Sequence, residues 1–97
     1  MDNDKAKLEL LKVRSEIDSI DEELISLFIK RLECANKVAE IKKEYQLPVL
    51  NSTREQEIIE KVKSKSGDLA EFTAEIFKDI MKVSKDYQNS LISKENN

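Results

Sequence analysis

The stretch LLKVRSEIDSIDEELISLFIKRLECANKVAEIK, residues 10–42, repeats apolar side chains at helical spacing. Leu10, Val13, Ile17, Ile20, Leu24 and Leu27, then Cys34, Val38 and Ile41, follow at steps of three and four, with Arg31 filling the gap in the middle. No Gly or Pro interrupts the pattern, so it predicts one long first helix over about residues 4–45. Gln46-Leu47-Pro48 marks its end, because proline drives the residue before it out of the helical region. Residues 48–51 read as a short extended connection. Ser52-Thr53-Arg54-Glu55 has the form of a capping box and predicts a second helix over about 53–65, with Ile58, Ile59 and Val62 as its apolar stripe. Ser66-Gly67 stops that helix, with Gly67 suited to a left-handed position. Asp68 with Glu71 is expected to cap a third helix over about 69–92, whose broad apolar face carries Leu69, Phe72, Ile76, Phe77, Ile80, Met81, Tyr87 and Leu91. The polar tail, 93–97, is expected to fray.

Composition agrees with an all-α chain of one domain over 1–97. There is one Gly and one Pro, and 38% of residues are charged. A net charge of −3 argues against nucleic acid as a partner. No apolar run approaches the ~20 residues that would span a membrane. Met-Asp-Asn-Asp-Lys does not open a signal peptide, so a cytoplasmic protein is expected. Cys34 is alone, which excludes an intrachain disulfide and reads as a small core hydrophobe. The absence of histidine removes Ser–His and Cys–His catalysis and the usual zinc sites. Chemistry is left to Arg, Lys, carboxylates, amides and hydroxyls. Size adds a constraint: about 40 helical residues reach about 60 Å, whereas a compact monomer of this length has a radius of gyration of only about 12–13 Å. The long helices are therefore expected to pack side by side in a dimer or higher oligomer. The alternative, a first helix bent within a monomer, lacks an internal Gly or Pro to bend it.

Several polar residues break the apolar pattern. Arg31 cannot lose its proton, so its place in the seam calls for water, an internal acid or an anionic ligand. Lys42, eleven residues on, lies on roughly the same helix face about 16 Å away; taken alone, it reads first as a solvated flank residue pairing with an acid such as Glu33 or Glu44. Ser84 and Gln88 are four apart on one face of the third helix, where a satisfied core hydrogen bond competes with ligand contact. Arg54 in a first turn is unfavourable for the helix dipole, whereas Glu55 there is favourable. Asn51 reads most simply as a turn or cap residue. Arg14 lies about 25 Å before Arg31 along the helix, too far to share a small pocket with it in one chain, but within reach of Arg31 of an antiparallel partner.

In order and spacing, these residues resemble the all-helical, type II chorismate mutases. Val13-Arg14-(x)2-Ile17-(x)3-Asp21-(x)2-Leu24-(x)2-Leu27-(x)3-Arg31-(x)10-Lys42 is similar to that family's first helix. Pro48-Val49-(x)4-Arg54-Glu55 is similar to its connection into the second helix, and Ser84-(x)3-Gln88 to its third-helix signature. The resemblance covers about residues 8–91. It implies an intertwined homodimer of three-helix chains that rearranges chorismate to prephenate on the route to phenylalanine and tyrosine, with no cofactor and no metal. It further implies that Arg31 and the partner chain's copy of Arg14 hold the substrate carboxylates, with Arg54 and Ser84 in support. Lys42 and Gln88 would stabilise the ether oxygen, and Glu55 would accept from the ring hydroxyl. Some relatives have Asp at the place of Asn51; if that position acts as a helix cap, Asn serves as well. At 97 residues, the chain is expected to carry no fused dehydratase, dehydrogenase or synthase domain. The competing readings are an isochorismate-pyruvate lyase on the same scaffold and a non-catalytic helical regulatory or oligomerisation module.

Overall fold

The computed structural model describes residues 2–95, with side chains over 3–93. Its elements are α1 (Asp2–Glu44), α2 (Ser52–Ser66), a single 3-10 turn (Gly67–Leu69) and α3 (Ala70–Glu95). The described residues form no strand, so the fold is all-α. The chain divides into two units, Met1–Arg31 and Leu32–Asn97. Residues of α1 make up the described part of the first unit and open the second.

The first unit is helix alone. Leu10, Val13, Ile17, Ile20, Leu24 and Leu27 are each 47–60% exposed, and Leu8, Leu11, Ile25 and Ile29 are exposed as well. Apolar spacing explains why these residues form a helix. It does not hold the helix together, because an isolated helix draws most of its stability from packing an amphipathic face.

The second unit has a narrow core of Ala35, Ala39, Ala74 and Met81, with Ser84 and Gln88 as its buried polar residues. Within this unit the inward face of α1 runs through Leu32, Ala35, Ala39 and Lys42 at steps of three and four. Cys34, expected in the core, is exposed, as are Val38 and Ile41. Around the helix from Ala35, Val38 lies about 60° away, Cys34 about 100° and Ile41 about 120°, so the face that reads as the apolar seam is not centred on the one this unit buries. α2 packs on α3. Their junction is tied by Thr73 Oγ1, which donates to Ser66 Oγ at 2.5 Å, while Ser66 Oγ donates to the Val62 carbonyl at 2.6 Å.

The ends of the helices refine the expected boundaries. α1 closes in a Schellman motif: Leu47 N–H donates to the Lys42 carbonyl at 2.7 Å and Gln46 N–H to the Lys43 carbonyl at 3.3 Å. Gln46 takes the positive-φ position, at +56°, where glycine is usual. The α2 cap sits one residue earlier than the capping-box reading. Asn51, with extended backbone, accepts the Arg54 N–H on Oδ1 at 3.1 Å, so Ser52 is the first helical residue and not the cap. Arg54 then occupies the place where a capping box needs an acceptor, which a guanidinium cannot supply. Gly67 has φ +53° and ψ −128°, a positive-φ stop outside the left-handed helical well. Asp68 does not cap the third helix. It lies inside the 3-10 turn, which passes directly into α3 as Ala70 N–H bonds to the Gly67 carbonyl. α3 extends to Glu95 and so takes in Ser93; Asn96 and Asn97 lie outside the described residues.

Candidate active site

Of the eight expected site residues, Arg14 and Arg31 fall in the first unit and the other six in the second. Arg14 is exposed and Arg31 half-buried.

In the second unit, Lys42 is held at both ends. Its carbonyl receives the Leu47 N–H of the Schellman motif. Its ammonium, half-buried, donates to the Val49 carbonyl at 2.5 Å. The turn that ends α1 thus folds back onto the lysine, fixing a flexible four-carbon side chain. One of the three ammonium hydrogens is used, leaving two for a ligand. Sequence spacing had no means of pairing Lys42 with Val49, because the pairing depends on the reversal at Gln46.

Ser84 and Gln88 are the most deeply covered polar side chains, at 8% and 7% exposure. Gln88 Nε2 donates to Ser84 Oγ at 3.3 Å, and Gln88 Oε1 is buried without a hydrogen-bond partner among the described residues. An orphaned buried amide oxygen costs on the order of 1–3 kcal/mol. A half-turn of the amide exchanges its ends with little change of shape: Ser84 Oγ would then donate to Oε1, and Nε2 would be free to donate elsewhere. The observed orientation thus leaves an acceptor without a partner, and the reversed one a donor.

At the start of α2, Arg54 faces solvent and lies 3.6 Å from Glu57, with both side chains more than 60% exposed. Such a surface pair contributes about 0–1 kcal/mol, so it offers little resistance to a competing anion. Glu55 is directed the other way. Its Oε2 lies 2.9 Å from Lys85 Nζ, with both side chains roughly 70% covered. Lys85, one residue after Ser84, was not anticipated. No local spacing announces it, since its partner is thirty positions away on another helix. Asn51 acts as the α2 cap, a role Asn fills as well as Asp.

No cluster of three or more metal-ligating side chains occurs among the described residues, and no helix there is long and apolar enough to cross a membrane. The charged and amide groups are suited to gripping an anion and donating hydrogen bonds to it.

The family model for chorismate mutase type II matches residues 13–89. The chain is 37% identical over 76 residues to a T-protein of Haemophilus influenzae, a match covering 77% of this chain and 20% of the relative. It is 44% identical over 54 residues to a bifunctional chorismate mutase/prephenate dehydratase of Aquifex aeolicus, covering 56% of this chain and 15% of that protein. A T-protein of Enterobacter agglomerans is 41% identical over 51 residues, 53% of this chain and 14% of the relative. The matched chain thus spans a fifth or less of the length of these relatives. No solved structure gives a significant match. With the helical order, the Lys42 turn and the Ser84/Gln88 pair in place, and a family match that takes in most of its length, this chain belongs to the chorismate mutase type II family.

Proposed function

We propose that this chain is a chorismate mutase, converting chorismate to prephenate, and that it works as an intertwined homodimer of three-helix chains. The observation that carries the reading is the buried Ser84/Gln88 pair, whose amide can present an Nε2 hydrogen to a ligand once Ser84 Oγ pairs with its oxygen, in a chain of this family. The dimer is supported by the uncovered apolar side chains of the first unit. A contiguous apolar surface of this kind marks an interaction site.

The reaction is a unimolecular pericyclic rearrangement of a dianion, so the protein's tasks are to restrict conformation and to stabilise developing charge. Guanidinium groups meet carboxylates in a fixed fork. Arg31, with Arg14 from the partner chain, grips the two substrate carboxylates, while Arg54 supports and Ser84 adds a hydrogen bond. Holding both carboxylates folds the enolpyruvyl arm over the ring and removes much of the entropic barrier. As the C–O bond breaks, negative charge grows on the ether oxygen. The remaining Lys42 hydrogens and Gln88 Nε2 donate there, gaining strength in the transition state. The Val49 carbonyl supports this role by fixing Lys42 beforehand. Glu55 accepts from the ring hydroxyl, and Asn51 holds the α2 start that carries Arg54 and Glu55.

The test is purified protein with chorismate, following loss of its ultraviolet absorbance and identifying the product. Prephenate, with turnover reduced about 10²–10³-fold by Lys42→Ala, is expected. Intact chorismate alongside conversion of isochorismate to salicylate and pyruvate would replace the mutase reading with a lyase. No turnover of either would leave a binding module. Mixing inactive Arg14→Ala and inactive Lys42→Ala chains should restore activity; no rescue despite proven subunit exchange would remove the shared site.

A further inference from the structure

We propose that Lys85 is a positioning residue of the site: it neutralises and aims the Glu55 carboxylate, so that a substrate carrying two negative charges can approach the carboxylate and donate its ring hydroxyl to it. The inference rests on the chorismate mutase reading and assigns a role to a residue that reading does not use.

Three observations converge. First, the cap at Asn51 places Arg54 where the capping-box acceptor would stand, so Glu55 is not spent on closing its own helix. Second, Glu55 turns across to α3 and meets Lys85 at 2.9 Å, with side-chain exposures of only 28% and 31%. The pairs Arg54–Glu57 at 3.6 Å, Lys82–Asp86 at 3.3 Å and Lys63–Glu71 at 3.9 Å are longer and more exposed. Glu55–Lys85 is thus the short, covered pair among these, and it joins two helices. Third, Lys85 follows Ser84 directly and precedes Gln88 by three, so its backbone is fixed by the α3 turn that carries the buried amide pair.

The chemistry requires such a partner. A bare carboxylate repels a dianion, and the repulsion is stronger where side chains exclude water. A lysine on one carboxylate oxygen cancels most of that field. Lys85 occupies Oε2, which leaves Oε1 as the acceptor for a hydroxyl. Lys85 itself touches no substrate; it acts through Glu55.

The experiment compares KM and kcat for chorismate in the full chain and in Lys85→Met, Lys85→Gln, Lys85→Arg, Glu55→Gln and the double variant Glu55→Gln/Lys85→Met. We expect about a tenfold rise in KM with a smaller change in kcat for Lys85→Met and Lys85→Gln, and restoration to within about twofold by Lys85→Arg. In the Glu55→Gln background, where the carboxylate is gone, removing Lys85 should have no further effect. An unchanged KM in Lys85→Met and Lys85→Gln overturns the proposal, as does an equal rise with and without the Glu55 carboxylate. A wild-type chain that leaves chorismate intact overturns the underlying reading and the positioning role together.

Discussion

Replacing the buried amide by an acid of the same shape, Gln88→Glu, should convert a reaction indifferent to pH at this position into one that needs acid. The two side chains have equal numbers of heavy atoms, so the α3 packing around a site only 7% exposed is preserved. Burial disfavours the charged form and pushes the new carboxyl above the ordinary range for Glu. While protonated, its O–H can donate as the amide does; once ionised, it offers no donor and faces the growing charge on the ether oxygen. Loss of one such donor corresponds to about 10²–10³ in rate. At pH 7.5 kcat/KM should therefore fall by at least that factor, and it should recover to within about tenfold of wild type near pH 5. Above the carboxyl's pKa the decline is about tenfold per pH unit. Stability follows the same sign. The folded state holds the proton to higher pH than the unfolded state does, so stability is intact in acid. It falls by about 1.4 kcal/mol per pH unit as pH rises between the unfolded-state and folded-state values. The assay is initial-rate loss of chorismate absorbance across pH 4.5–8, paired with thermal unfolding at each pH. A profile parallel to wild type, or one rising with pH, would refute the placement of Gln88 against the ether oxygen.

Three further outcomes are expected. Asn51→Ala should cost about 1 kcal/mol of stability by removing the α2 cap, while Asn51→Asp should retain it; thermal melts of the two variants decide this. Gln46→Gly should stabilise by about 0.5–1 kcal/mol, since left-handed backbone costs a non-glycine residue about 1–2 kcal/mol and glycine returns part of that as chain entropy; a lowered urea midpoint would contradict the Schellman end. Leu24→Glu should dissociate the dimer in sedimentation and abolish activity, whereas a monodisperse active dimer would show that the exposed seam is not the interface.

The extents of α1, α2 and α3 were legible because apolar period and helix breakers are local signals. Their caps were legible only to within a residue: Asn51 and Ser52 are both good cap residues, and the decision depended on which backbone turned extended. Asp68 failed as a cap because a 3-10 turn supplied the bond from backbone alone. Cys34 was misplaced because two faces of α1 are apolar after Arg31, and only packing in the second unit selects the alanine face. The Ser84/Gln88 pair was readable from its spacing. The Val49 carbonyl at Lys42 and Lys85 at Glu55 were not, since both arise from chain reversals that bring distant positions together.

In the proposed dimer, the bare apolar helix of the first unit would tie survival of the fold to the amount of protein present. Ten large apolar side chains there have nothing of their own unit to lie against, and a lone helix in water is marginal. If a second copy supplies the missing contacts, association and folding are one equilibrium governed by mass action. The melting temperature then rises with concentration, each tenfold increase adding about 1.4 kcal/mol per mole of dimer. On dilution the amino-terminal unit, residues 1–31, would become open to protease, so a limited digest at falling concentration would report the approach to the dissociation constant.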